Sequence, residues 1–135
     1  QRAGVSFKRR EVLLDFLIHG ADILDVRITL ESEARPMKDL SDVHDLNKLL
    51  LVTSPWRVYV GRVNRLKLGS TQKIESAKRT VEERLASARS AGTLRSTDRL
   101  TVIFLQTSQG GTRLAYVADC GSATEALAFN EVQMA

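Results

Sequence analysis

Cysteine is nearly absent from this chain, with Cys120 alone among 135 residues. A single thiol cannot close an internal disulfide. The lack of a second cysteine excludes a disulfide-stapled scaffold, and the lack of a nearby cysteine or histidine at ligand spacing argues against a structural zinc site. Cys120 follows Asp119 and reads as an ordinary thiol rather than a nucleophile. The two histidines, His19 and His44, stand apart, and no serine sits in a G-x-S-x-G turn, so a triad hydrolase has no support. Gly110-Gly111 has no Lys-Ser/Thr after it, which removes nucleotide hydrolysis of the P-loop kind. No apolar run approaches the roughly 18 to 20 residues that span a bilayer, and Gln1 to Arg10 lacks the apolar stretch of a signal peptide. These absences predict a cytoplasmic protein with no membrane partner. With two prolines and no low-complexity segment, disorder is not expected over most of the chain.

What is present is 43% apolar and 27% charged sequence, a globular composition. The length suits one domain over residues 1–135, with residues 1–11 flexible or the remnant of a longer N-terminus. A net charge of +4 and a pI near 9.6 permit a polyanionic partner without demanding one. Distribution says more than the total. Glu31 to Asp45 carries Glu31, Glu33, Asp39, Asp42 and Asp45 against Arg35 and Lys38. Trp56 to Lys67 carries Arg57, Arg62, Arg65 and Lys67 with no acid. Those four cations are the candidates for tracking a nucleic-acid backbone.

Val12 to Ile18 is an apolar run broken only by Asp15, ahead of the turn-forming His19-Gly20-Ala21-Asp22. It fits a buried strand, or a helix from Ser6 to His19 capped by Ser6 and stopped by Gly20. The strand is favoured because Leu24 to Glu33 alternates, with Val26, Ile28 and Leu30 on one face and Arg27, Thr29, Glu31 and Glu33 on the other. The two segments would then pair as a hairpin. Ser41-Asp42 offers a cap for a helix over about Asp42 to Val52, ended by Ser54-Pro55. Trp56 to Val63 alternates as a third strand. A helix from Ser70 or Thr71 to Ala91 would bury Ile74, Ala77, Val81, Leu85 and Ala88 and stop at Gly92, leaving Lys73, Glu75, Lys78, Arg79, Glu82, Glu83 and Arg84 solvated. Leu100 to Thr107 and Thr112 to Ala118 flank a Gly-Gly turn, and Ala123 to Phe129 suits a short helix. The fold class is α/β, a two-layer or three-layer sandwich around a mixed sheet, in the order β-β-α-β-α-β-β.

Carboxylates stand in unusual places. Asp15 lies among large apolar residues, where an ionised group costs several kcal/mol unless it is paired or binds a cation. Glu31 and Glu33, two apart on a strand, point the same way at roughly 7 Å. A hairpin placing Asp15 near residues 28–31 would bring the three together as hard oxygen ligands, suited to Mg²⁺ or Mn²⁺ rather than zinc. The alternative is a solvated sheet face with no site. On the next helix Asp45 and Lys48 lie on a flank of the Val43, Leu46, Leu49, Leu50 stripe. Lys48 would therefore either reach the sheet obliquely or simply pair with Asp45.

The run L-D-F at 14–16, L-E-S-E at 30–33, D-L-N-K-L-L at 45–50 and W-R-V-Y-V at 56–60 resembles the PD-(D/E)XK, or restriction-endonuclease-like, nuclease superfamily. It is closest to a branch with an E-S-E half-motif followed by D-x-x-K-L on the next helix. The resemblance implies a Mg²⁺-dependent (or Mn²⁺-dependent) nuclease, with Asp15 as the first acid and Glu31 as the second. Glu33 stands where the motif lysine usually sits, and Lys48 supplies the displaced lysine. A catalytically silent module binding nucleic acid or protein, and a structural role through homodimerisation, are the competing expectations.

Overall fold

The computed structural model describes residues 15–22, 24–36, 44–66, 72–108, 111, 113–120 and 126–134. Eight elements follow one another: β1 (Phe16–His19), β2 (Val26–Pro36), α1 (His44–Leu51), β3 (Trp56–Leu66), α2 (Gln72–Ala91), β4 (Arg99–Ser108), β5 (Arg113–Cys120) and β6 (Asn130–Met134). The strands form one mixed sheet in chain order, β1-β2-β3-β4-β5-β6. β1 is antiparallel to β2, the next two pairings are parallel, and β4, β5 and β6 form an antiparallel meander. Residues 16–19 are strand, so the helical alternative ending at His19 does not hold there; Val12 to Leu14 lie outside the described residues. The helix considered over Ala123 to Phe129 is also not found in its described part. Residues 126–129 have no regular structure and lead into a sixth strand.

The two parallel crossovers, β2-α1-β3 and β3-α2-β4, step the same way across the sheet. Right-handed connections therefore lay both helices on one face. Among the described residues the molecule has two layers, and its core lies between them. Leu46, Leu49 and Leu50 of α1, and Ile74, Ala77, Val81, Leu85 and Ala88 of α2, pack on Tyr59, Val63, Leu100, Val102 and Phe104. The helix spacing of three and four read from the sequence is the buried stripe of α2. Gly92 ends that helix at φ +74°, a left-handed geometry in which glycine avoids the Cβ clash, and Thr93 N–H bonds Ala88 O at 3.0 Å.

The outward face of α2 is less solvated than expected. Glu82 accepts a hydrogen bond from Leu127 N at 2.8 Å, and the Lys78 ammonium lies 5.4 Å from the Tyr116 ring centroid and 5.3 Å from that of Phe129. The segment before β6 is thereby held down, with Phe129 stacked on Phe104 at 5.6 Å. On the other side of the sheet, Ile28, Leu30, Trp56, Val58 and Val60 are half-buried, and Phe16 and Ile18 are 55% and 42% exposed. The row that covers the core on β2 is the polar one, Thr29 and Glu31, contrary to the usual expectation from its alternation. Register explains the inversion. Glu31 lies beside Tyr59, and Tyr59 beside Val102, so the parity set by the large core residues of β3 and β4 carries the polar row of β2 under α1.

Candidate functional site

The acids expected to share a site gather where β1, β2 and α1 meet. Asp15 immediately precedes β1, and the Phe16–Leu30 register sets it opposite Glu31. Its Oδ2 accepts hydrogen bonds from the backbone N–H and the hydroxyl of Ser32, each at 2.7 Å. Glu31 is 0% exposed beneath α1. The amphipathic pattern of that helix, with Leu46, Leu49 and Leu50 in the core, turns Asp45 and Lys48 toward the strand. Lys48 Nζ stands 3.2 Å from Glu31 Oε2 and 2.8 Å from Asp45 Oδ1, so the oblique approach and the local pairing with Asp45 both occur. Glu33 is hydrogen-bonded to Asp45 through its side chain. Among the described residues Glu31 Oε1 has no hydrogen-bond partner.

The electrostatics follow from this packing. Burial pushes the Glu31 carboxyl above its ordinary value, and the nearby Lys48 only partly offsets it, while Asp15 and Asp45 add repulsion. For Lys48, burial works against the charge, but Asp45 and Glu31 together outweigh it and hold the ammonium on. Asp45 is likewise opposed by burial, yet Glu33 and Lys48 keep it below the usual carboxylate range. Tyr59, fully buried beside Glu31 on β3, is pushed far up by burial, then by Glu33, Asp45 and Glu31.

Asp45, Ser32 and Tyr59 also belong to this cluster, beyond the Asp15, Glu31, Glu33 and Lys48 that the sequence singles out. Asp45 carried a signal in the D-x-x-K spacing, and Tyr59 shares the alternation row of Arg57. Ser32 shows itself only through the hairpin register. Among the described residues no three His, Cys, Asp or Glu side chains, Asp15, Glu31 and Glu33 included, stand at metal-holding spacing, and the Lys48 ammonium contacts both Glu31 and Asp45.

The basic stretch divides. Arg57 is wholly buried and is therefore corrected from backbone-tracking cation to internal tie. Its Nη1 donates to Asp98 at 2.8 Å, its Nε and Nη2 donate to Val52 O at 3.0 and 2.8 Å, and Nη2 also donates to Thr93 O at 3.0 Å. It falls on the core-facing row of β3 for the same reason that Glu31 falls on that of β2. Arg62 is exposed on the opposite face. Arg65 belongs to β3, and Lys67 lies outside the described residues.

No protein-family model, curated protein or solved structure matches the chain. Its fold is a mixed α/β arrangement of six strands and two helices, and no described helix is long and apolar enough to cross a membrane.

Proposed function

We propose that the chain is a divalent-cation-dependent phosphodiesterase acting on nucleic acid, with a site of the PD-(D/E)XK kind. The carrying observation is the wholly buried Glu31, with Oε1 unpartnered and with Asp15, Asp45 and Lys48 around it. A carboxylate held in such a place without full compensation is a functional-site signature rather than a stabilising feature. The donor set is made of hard oxygens, which suits Mg²⁺ or Mn²⁺. Asp15 and Glu31 would hold the ion, with Glu33 beside them, once Lys48 turns from Glu31. Such an ion supplies Lewis acidity toward phosphate and an acidified water. Lys48, kept protonated by Asp45, would then present its ammonium to the phosphate or the leaving oxygen. Arg62 would supply a backbone contact, with Arg65 and Lys67 following it along the chain.

A second reading has its own observation. The Lys48 ammonium bridges Glu31 and Asp45 directly, and a cation of the protein's own in that place is what a binding module without catalysis would require. Thermal unfolding with and without millimolar Mg²⁺ or Mn²⁺ separates the two. A cation bound only by the native state at ten times its Kd adds about 1.4 kcal/mol. The phosphodiesterase reading expects that rise in Tm, and its loss in Asp15→Asn, whose amide oxygen can still accept from Ser32. Identical midpoints in wild type would overturn it. Where the rise is seen, metal-dependent cleavage of a labelled oligonucleotide should fall about a hundredfold in Lys48→Ala.

A further inference from the structure

The sheet carries a second feature at the point where β2 leaves β3. Ser32 pairs with Val60, but the next pair is Pro36 with Arg62, so β2 bulges through residues 33–35. A bulge parts the ladder and bends the strand. Beside it opens a cleft of about 470 Å³, within the size range of small-molecule sites, roughly 300–1,000 Å³. Val60, Leu105, Leu114 and Met134 give it an apolar lining, and Arg62 and Arg113 also line it.

Register places the two arginines together. Arg62 lies opposite Leu105, Leu105 opposite Ala115, and Arg113 two residues from Ala115 on the same face. Both arginines are exposed, and neither pairs with an acid among the described residues. The cleft also meets the acid cluster. Ser32 and Glu33 line it, and the same two residues hold Asp15 and Asp45 respectively.

We infer that this cleft binds one unpaired nucleotide of a single-stranded nucleic acid, its base on the apolar lining and its flanking phosphates on Arg62 and Arg113. The ligand class follows from the two chemistries side by side. A phosphate gains nothing from Val60, Leu105 and Met134, and an apolar molecule gains nothing from two exposed guanidinium groups. A nucleotide satisfies both, but only with its base free, because a duplex keeps base faces stacked inside and offers phosphates and groove edges. Arginine suits the phosphate through its forked donors. The inference rests on the nucleic-acid reading for its ligand and adds that the substrate is single-stranded at this point.

The test is equilibrium binding in EDTA, so that no cation contributes. A short labelled single-stranded oligonucleotide is compared with the same sequence as a blunt duplex. Wild type should prefer the single strand by about tenfold or more, the gain from burying roughly 55 Å² of base face on the apolar lining at about 25 cal/mol per Å². The Arg62→Ala/Arg113→Ala double variant should weaken single-strand binding by about tenfold or more. It should also flatten the dependence of log affinity on log salt by about 1.4, two contacts at about 0.7 each. Leu105→Glu, which places a carboxylate on the lining, should erase the preference for the single strand. Equal or tighter duplex binding, no binding at all by folded protein, or a double variant indistinguishable from wild type would overturn the inference. A metal-induced rise in Tm without strand preference would leave the acid site standing and remove the cleft; strand preference with no metal effect would do the reverse.

Discussion

Glu31 is held in a state that solvent would not choose. In the unfolded chain its carboxyl titrates near the ordinary 4.5, and in the fold burial raises that value beyond what Lys48 recovers. The native state therefore keeps its proton to higher pH than the unfolded chain does. Between the unfolded value and the raised folded one, stability falls as pH rises, and above both the loss is complete. Glu31→Gln removes the titration while keeping the shape. It should raise stability at pH 7 on the order of 1 kcal/mol, the cost of an unsatisfied buried group, a shift of a few degrees in Tm. The gain should disappear below pH 4.5, where wild-type Glu31 is also neutral. Thermal melts of both proteins across that range decide it. A glutamine variant less stable than wild type at pH 7 would mean that the Lys48 ion pair outweighs the burial, and that Glu31 serves the fold.

At the scale of the elements, Arg57 shows how a cation that reads as surface charge becomes a joint. One guanidinium joins the carbonyl after α1, the carbonyl after α2 and the carboxylate before β4. Asp98 in turn accepts from Arg95 N at 3.0 Å. Burial opposes the charge on Asp98, but Arg57 and then Arg95 hold it below the ordinary carboxylate range, so this contribution is present above 3.8 and is lost as pH falls toward the depressed value. Arg57→Ala leaves Asp98 buried without its main partner and should cost about 3–5 kcal/mol in urea unfolding. Arg57→Lys keeps the charge but cannot fork to several acceptors, and should recover only part of that. A loss under about 1 kcal/mol in Arg57→Ala would show the network to be dispensable. The sequence alone made β2 to β5, the two helices and the Gly92 stop readable, because apolar spacing and turn residues are local, and it left β1 open between strand and helix. It could not reveal which face of β2 and β3 is inside, since that depends on pairing register and on the side to which the crossovers turn. Arg57 and Glu31 are misread or read ambiguously for that one reason. β6 escaped because Asn130 to Met134 has little apolar pattern of its own and is a strand through its pairing with β5.

Across the whole molecule, the acid cluster sits beside the weaker end of the sheet. β3 and β4 are central, flanked on both sides and covered by both helices, while β1 is four largely exposed residues paired, among the described residues, to β2 alone. Local opening free energies run from near zero at such edges up to the global value in the core, so backbone amides of residues 16–19 should exchange with deuterium well before those of residues 100–104. β6 forms the opposite edge and is exposed along its length, yet it carries none of the clustered acids. That makes it an internal control. If Asp15 and Glu31 jointly hold a cation, its binding ties the start of β1 to β2, and millimolar Mg²⁺ should slow exchange in β1 while leaving β6 unchanged. Peptide-resolved exchange with and without Mg²⁺ reads both edges in one experiment. Slowing of equal size at both edges would indicate a general ionic effect, and unchanged β1 amides would remove Asp15 from the ligand set even if Tm rises.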